Sequence, residues 1–278
     1  MYGPKTYIQK RGRDKRNRRR NGTAEVWRQT ARLMFSRRGA LCLWLGCAFL
    51  FIQGFFVAKV PDATRPELAN VSAAFVLVLW APSAWAMRRW LGWKQAALVL
   101  GVLGAFAVVL ETFAVKTGLP YGHFSYGPKI GWKVLGAVPW TVPFSWPPLV
   151  LGALFLASTQ TKRVAGLIGI STLFLLAFDG VLDPGAVSQA FWKYDAGGSY
   201  YGVPLSNFLG WMLSGALGSW LLWRLSGKRN DVPAPLLSSA ALILSFWTSV
   251  CLFSGLVIPA FLGVSLLSFC ARVCKPDS

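Results

Sequence analysis

Long apolar runs separated by short polar segments dominate this chain. Six runs cover residues 40–58, 70–87, 95–115, 139–158, 164–183 and 204–223, and a longer apolar region follows at 235–271. A helix that crosses a bilayer needs about 20 apolar residues, so each of the six runs predicts one helix. The last region is too long for one helix and predicts two, with a turn near Ser254 and Gly255. The pattern therefore predicts an all-α, polytopic membrane helix bundle with about eight transmembrane helices, or alternatively seven.

Composition agrees with this interpretation. The chain is 54% hydrophobic, with a mean hydropathy of +0.47. Lipid offers the backbone no water to bond, which favours helices, and the runs lack the alternation of a transmembrane barrel. We expect three parts: a basic tail at 1–39, the transmembrane bundle at 40–271 and a short C-terminal tail at 272–278.

The distribution of positive charge predicts the orientation. The chain has 29 lysines and arginines, and 23 of them fall in the two tails and in alternate loops, on one side of the predicted bundle. Cytoplasmic loops are rich in these residues, so both termini are expected in the cytoplasm of a cell (inner) membrane protein. The basic tail is expected to meet anionic lipid head groups, at about 1 kcal/mol per residue near the surface, rather than nucleic acid.

Several kinds of site are excluded by residue type. A single histidine and five cysteines without a C-x-x-C pair do not supply a di-iron cluster or a typical zinc site. The glycine-rich fingerprints of dinucleotide and phosphate binding are absent from the sequence. We therefore expect no metal and no cofactor, and a chemistry that uses carboxylates, one imidazole, phenols, amides and water.

The reactive side chains are concentrated in two stretches, 111–126 (ETFAVKTGLPYGHFSY) and 179–207. Glu111 and Asp179 lie within apolar runs, where an ionisable group costs about 2.5–3.5 kcal/mol on insertion scales and so marks a site. Asp179 and Asp183 are four residues apart, which places them on one face of a helix. Pro184 is predicted to end that helix.

Two neighbouring carboxyl groups in a poorly solvated pocket cannot both ionise cheaply, so one is expected to keep a proton and to act as a general acid. Plainer roles stay open for these residues. Asp183 could simply end a helix, Glu111 could pair with Lys116, and His123 could be an ordinary interfacial histidine. Tryptophans near the ends of the runs are typical of an aromatic belt, although some of them could line a pocket instead: Trp140, Trp146, Trp192 and Trp211.

The same two stretches resemble a known family, the carotenoid 1′,2′-hydratases. ETFAVKTGLPYGHFSYGPKIGWKVLGAVPW is similar to that family's E-x-x-G-x-x-T-G-x-P-[FY]-G-x-[FY]-x-Y segment, except that Ala114 stands where the pattern has glycine. LDPGAVSQAFWKYDAGGSYYGVPLSNFLGW is similar to its second signature, D-P-x(n)-W-x-[WY] followed by YYG-[IV]-P-x-x-N-[FY]-x-G-W. The resemblance is clear over about residues 95–225.

The resemblance implies a membrane enzyme of carotenoid biosynthesis that adds water across the terminal C1′=C2′ double bond of an acyclic ψ end group. The product is a tertiary alcohol at C1′. The implied substrates are carotenoids of the γ-carotene or lycopene type, or precursors of bacterioruberin such as bisanhydrobacterioruberin. The expected partners are the carotenoid in the bilayer and other enzymes of the same pathway.

The residues themselves suit this reaction. Protonating the alkene requires a carboxylic acid, and we assign this to Asp179 or Glu111, with the other holding water or stabilising the cation. Asp183, His123 and Asn207 are expected to orient the water. Aromatic faces tolerate a developing positive charge, and the candidates for the end-group pocket are Tyr121, Phe124, Tyr126, Trp146, Tyr200 and Tyr201.

Two other function classes remain as alternatives. A membrane prenyltransferase would bind a diphosphate through Mg²⁺ with two aspartate clusters, whereas this chain has one such spacing, at Asp179 and Asp183. A lipid or small-molecule transporter would use the buried acids as proton or substrate sites and would favour inverted repeats. No repeat is evident in the sequence.

Overall fold

The computed structural model describes residues 35–60 and 67–274, with side chains for all of these except 67–70. Most of the predicted basic tail therefore lies outside the described residues. The described part contains eight α-helices: α1 (Arg37–Lys59), α2 (Glu67–Leu91), α3 (Trp93–Thr117), α4 (Val142–Gln160), α5 (Val164–Ser188), α6 (Leu205–Leu225), α7 (Ser238–Phe253) and α8 (Val257–Val273).

The predicted helical bundle is confirmed, but the predicted number of membrane crossings is not. By length and composition, six described helical segments can cross a membrane: α1, Val71–Leu91 of α2, α3, α4, α5, and Ala234–Phe253, which includes α7. The helix α8 is apolar but shorter, and α6 is not among the six. The chain is thus a membrane protein with six clear candidate spans.

The region at 235–271 divides as predicted. Ser254 to Leu256 separate α7 from α8, and Gly255 has a φ of +76°, a left-handed conformation that glycine adopts at low cost. The apolar region thus forms two helices that pack against each other.

The prediction that Pro184 ends its helix is wrong. Pro184 is buried inside α5, which continues to Ser188. A proline lacks the N–H that would bond the carbonyl four residues earlier, here that of Gly180. The Tyr200 hydroxyl donates a hydrogen bond of 3.0 Å to this carbonyl instead, so the helix continues without leaving a buried acceptor unpaired.

Two helices form the centre of the bundle. Helices α4 and α7 are buried over most of their length. Around them, α3 and α5 pack on α4, whereas α1 packs mainly on α7. The outer helices expose large apolar side chains such as Leu41, Val109 and Leu213, as expected for surfaces that face lipid tails.

The loops of the described part contain four short strands, which the hydrophobic pattern did not predict. They are β1 (Phe124–Tyr126), β2 (Lys133–Val134), β3 (Val138–Pro139) and β4 (Trp192–Tyr194). Strands β2 and β3 form a hairpin. Strand β1 pairs with β4 in antiparallel fashion, with Phe124 opposite Tyr194 and Tyr126 opposite Trp192. This pairing joins the loop after α3 to the loop after α5, and so brings the two reactive stretches together.

Candidate active site

One asparagine links the two aspartates of α5. Asp179 and Asp183 are both buried, and they lie one helical turn apart. The side-chain amide of Asn207, in the first turn of α6, donates to Asp179 Oδ2 at 2.8 Å and to Asp183 Oδ2 at 2.7 Å. The Asn207 amide therefore fixes both carboxyl groups relative to α6, while its predicted role in orienting water stays a prediction.

Strand β4 supplies a second donor to the same oxygen. The Tyr194 hydroxyl donates to Asp183 Oδ2 at 2.6 Å, and the indole N–H of Trp192 lies beside the same carboxyl group. Side chains two apart on a strand share one face, so β4 presents both groups to Asp183. This carboxyl group is surrounded by hydrogen-bond donors.

Strand β1 provides a parallel arrangement for Glu111. This carboxyl group projects from α3 and accepts a hydrogen bond from the hydroxyl of Tyr126. Glu111 and Asp183 are also close enough to interact electrostatically. The third acid of the site thus has its own tyrosine and faces the aspartate pair.

Both tyrosines stay protonated at neutral pH. Burial, reinforced by the charge of Glu111, raises the pKa of Tyr126 well above its usual value of 10.0. Burial, reinforced by Asp183, likewise raises the pKa of Tyr194. Each phenol therefore remains a hydrogen-bond donor to its carboxyl group over the physiological range.

A cavity of about 570 Å³ reaches this cluster. Glu111, Asp183 and Asn207 line its polar end. Although the cavity touches several polar groups, none of the side chains that line it, all of them in the described part of the chain, is a lysine or arginine. Aromatic residues form much of the remaining wall at this end: Tyr121, Phe124, Tyr126, Trp146, Phe191, Trp192, Tyr194 and Trp211.

Two glycines on α6 let aromatic walls approach closely. A Cβ atom added to Gly210 would collide with the ring of Tyr121, and one added to Gly218 would collide with the indole of Trp146. Both aromatic residues are buried and line the cavity. The α6 sequence therefore shapes the pocket through residues that have no side chain.

Asp179 lies behind the cavity rather than in its wall. It is absent from the lining, although it is fully buried, and its Oδ1 atom has no hydrogen-bond partner among the described residues. Of the two acids predicted as proton donor, only Glu111 meets the cavity. Asp183, predicted to orient water, lines the cavity.

Three further predicted residues lie outside the cavity wall. The His123 side chain is exposed and packs against Gly118, so the structure does not bring it to the acids. The Tyr200 hydroxyl bonds the Gly180 carbonyl. The Tyr201 hydroxyl accepts a 3.3 Å hydrogen bond from the backbone of Ile258, which ties its loop to α8.

Tyr194 is a site residue that sequence reasoning missed, and Trp192 and Trp211, which were predicted for an aromatic belt with a pocket as the alternative, also line the cavity. The first two stand in the WKYD segment at alternate positions, which was a usable signal for one face of a strand. Trp211 follows Asn207 by four residues on α6 and so shares its face. Each side chain contacts a cavity whose other walls come from distant parts of the chain.

The described residues contain no group of three or more His, Cys, Asp or Glu side chains placed to hold one metal ion. Glu111 and Asp183 each meet a tyrosine instead. The arrangement is suited to moving a proton in an apolar, aromatic pocket.

Comparison with known proteins places the chain among carotenoid enzymes. The family model described as "Carotenoid biosynthesis protein" matches residues 70–270, which include α3 to α7 and all of the acidic cluster. A curated protein, bisanhydrobacterioruberin hydratase of Haloarcula japonica, is 36% identical over 192 residues, which are 63% of this chain and 64% of that protein. The chain thus matches somewhat less than two thirds of that relative's length. No solved structure matches.

Proposed function

Because the chain belongs to the carotenoid biosynthesis protein family, we propose that it is a carotenoid hydratase that adds water to the C1′,2′ double bond of an acyclic ψ end group. The proposed substrates are carotenoids of the γ-carotene or lycopene type, or bisanhydrobacterioruberin, the compound after which the Haloarcula japonica relative is named. The observation that carries the proposal is a buried acidic cluster at the end of an aromatic cavity that no lysine or arginine lines.

The first step is protonation of the alkene. A new C–H bond forms at C2′ with the proton of a carboxylic acid, which leaves a carboxylate and a tertiary cation at C1′. Glu111 suits this role because its only hydrogen-bond donor among the described residues is the Tyr126 hydroxyl. A carboxyl group that faces an apolar, aromatic pocket and accepts few hydrogen bonds favours its neutral form.

The second step is capture of the cation by water. Asp183 Oδ2 accepts hydrogen bonds from Tyr194 and Asn207, and donors of this kind favour a carboxylate. An ionised Asp183 would stabilise the cation and accept a proton as water forms the C1′–O bond. One proton has then left Glu111 and one has reached Asp183, and transfer between these interacting groups restores the enzyme.

The aromatic wall supports the cationic intermediate. Ring faces attract positive charge, by about 2 kcal/mol or more when the site is dry. Tyr121, Trp146 and Trp211 lie in the cavity wall. Tyr121 and Trp146 pack against glycines of α6, and Trp211 belongs to α6. They also keep bulk water away from the cation, so that one positioned water reacts.

The test of this proposal is hydration with labelled water. The chain is expressed in a carotenoid-free bacterium engineered to make lycopene or γ-carotene and grown in H₂¹⁸O, and the pigments are analysed by mass spectrometry. A new pigment heavier by one H₂¹⁸O is expected. Unchanged pigments, with the protein present in the membrane and bisanhydrobacterioruberin also unreactive, would overturn the proposed reaction.

Orientation completes the proposal. With both termini in the cytoplasm, as the charge distribution favours, the loops that carry β1 and β4 lie at the outer face. A cysteine placed at Ser199, in the exposed loop between β4 and α6, should then react with a membrane-impermeant maleimide in intact cells. If this cysteine reacted only after the cells were lysed, the opposite orientation would be indicated.

A further inference from the structure

The cavity extends well beyond the acidic cluster. From its polar end it continues between α1 and α2, where its wall includes Val57 of α1 and Val71 and Val78 of α2. Ile243 and Phe246 of α7 form the floor of this part. We call this extension the α1–α2 arm. It is continuous with the space beside Glu111 and Asp183, so one ligand can occupy both.

The α1–α2 arm opens at the surface of the described structure. Helices α1 and α2 each pack on α7, while contacts between α1 and α2 themselves are few among the described residues. Three side chains of the cavity wall are also exposed: Val57 by 37%, Val71 by 62% and Val78 by 65%. A side chain that both lines a cavity and lies on the surface marks the mouth of that cavity.

This mouth faces lipid rather than water. Val57 lies in α1, and Val71 and Val78 lie in α2, both of which are long and apolar enough to span a membrane. Acidic residues in the cavity wall are confined to its polar end. An apolar molecule dissolved in the bilayer therefore meets a mostly apolar surface from the mouth inward, in which Gln53 of α1 and Ser72 of α2 are polar.

The size of the cavity defines how the ligand must lie. Pockets of about 300–1,000 Å³ hold drug-sized ligands, so 570 Å³ accommodates an end group and only part of a long polyene. Because the end group must reach Glu111 and Asp183, the rest of the polyene has to leave through an opening.

We propose that the α1–α2 arm is this passage: the polyene of the substrate runs between α1 and α2 and into the bilayer while its end group lies at the acids. The inference rests on the proposed function for the identity of the ligand. It predicts that bulky side chains at the mouth exclude long polyenes without altering the acidic cluster.

The experiment measures bound pigment rather than turnover. Val71→Trp and Val78→Trp are each made in a Glu111→Gln background, so that substrate binds without reacting. The matched control is Val109→Trp on α3, because Val109 is equally exposed, at 69%, but does not line the cavity. Each protein is purified from lycopene-producing cells, checked for monodispersity by size-exclusion chromatography, and its pigment is measured by absorbance per mole of protein.

Val71→Trp and Val78→Trp are expected to retain about tenfold less pigment than Val109→Trp, because the added indole would fill space that the bound polyene needs. If either variant fails to fold, Val57→Trp tests the opposite side of the mouth. Pigment retention equal to that of Val109→Trp in all three variants would overturn the passage.

The outcomes separate the passage from the reaction. In one outcome, the Val71 and Val78 variants lose pigment and the wild type forms no hydroxylated product. This would support the passage and overturn the proposed hydration. In the opposite outcome, the wild type hydrates the pigment and the variants bind it normally. This would support the proposed hydration and overturn the passage. A wild type that holds no pigment and forms no product would overturn both.

Discussion

Two carboxylate–tyrosine pairs meet across the cavity, one on each strand of the β1–β4 ribbon. Tyr126 of β1 donates to Glu111 of α3, and Tyr194 of β4 donates to Asp183 of α5. Only the second pair has further donors, because Asn207 also bonds Asp183. The same carboxylate–tyrosine pairing thus occurs in two different electrostatic surroundings.

This difference assigns different roles to two similar groups. A carboxyl group with several donors is stabilised as an anion, whereas one with a single donor in an apolar pocket favours its proton. Enzymes that need an acid and a base from the same residue type separate them in this way. The pair with Glu111 is the proposed proton donor, and the pair with Asp183 is the proposed anion.

The strongest test of this comparison removes the proposed acid. Glu111→Gln keeps the shape of the side chain but has no proton to give, so the rate of pigment hydration should fall by about 10²- to 10⁴-fold, the usual contribution of general acid catalysis. The rate is measured by chromatography of extracted pigments. Asp195→Asn, which changes an exposed loop acid, serves as the control. Near-normal activity of Glu111→Gln would remove Glu111 from the mechanism.

Removing the proposed anion should lower the hydration rate somewhat less. Asp183→Asn keeps an oxygen for Tyr194 and Asn207 but loses the charge opposite the cation, and a fall of about 10²- to 10³-fold is expected, as for other preorganised electrostatic groups. Pigment should still bind to this variant. Loss of pigment binding together with activity would indicate a structural role for Asp183 instead.

The two tyrosines should differ in their effect on stability. Tyr194→Phe deprives a buried carboxyl group of one of its donors, which should lower the free energy of unfolding by about 1.5–3 kcal/mol. Tyr126→Phe should cost less, since Glu111 is only partly buried. Thermal unfolding in detergent measures both. Equal losses in the two variants would contradict the different surroundings of the two pairs.

The pH dependence of this stability effect has a definite sign. Because burial raises the pKa of Tyr194 above its usual value, the folded state holds the phenolic proton more tightly than the unfolded state. Its contribution is complete below about pH 10, the unfolded value, and is lost as the pH rises further. The part of the stability difference between wild type and Tyr194→Phe that comes from the phenolic proton should therefore persist up to about pH 9, and loss of the difference between neutral pH and pH 9 would contradict the assignment.

A smaller effect is expected behind the cavity. Asp179→Asn should leave turnover within about tenfold of wild type, because this side chain acts only through Asn207 and Asp183. Its melting temperature should be unchanged or higher, since a neutral amide replaces a buried carboxyl group with an unpartnered oxygen. Abolished turnover would instead support the sequence-based assignment of Asp179 as proton donor.

The smallest effect should come from removing divalent metal. Neither carboxylate–tyrosine pair is expected to act through a metal ion, so a chelator added to membranes should leave the hydration rate unchanged. A membrane prenyltransferase would lose its activity, since it binds diphosphate through Mg²⁺. Loss of turnover that added Mg²⁺ restores would therefore favour that alternative.

The sequence alone determined most of the helices and the candidate reactive groups. Apolar runs of sufficient length specify helices in lipid wherever they occur, which is why the division near Gly255 was predicted correctly. Acids within such runs are costly, and this identified Glu111 and Asp179 before any contact was known. Both properties are local: they depend on a residue and its near neighbours in the chain.

Tertiary structure alone decided which of these groups share a site. Asp183 meets the cavity and Asp179 does not. Asn207, from another helix, bonds both, and the β1–β4 pairing brings Tyr194 to Asp183. Pro184 lies inside its helix, and Tyr200 bonds the carbonyl that the proline leaves free. These contacts join residues from separate elements, and their partners follow from how the helices and loops pack rather than from any local pattern in the sequence.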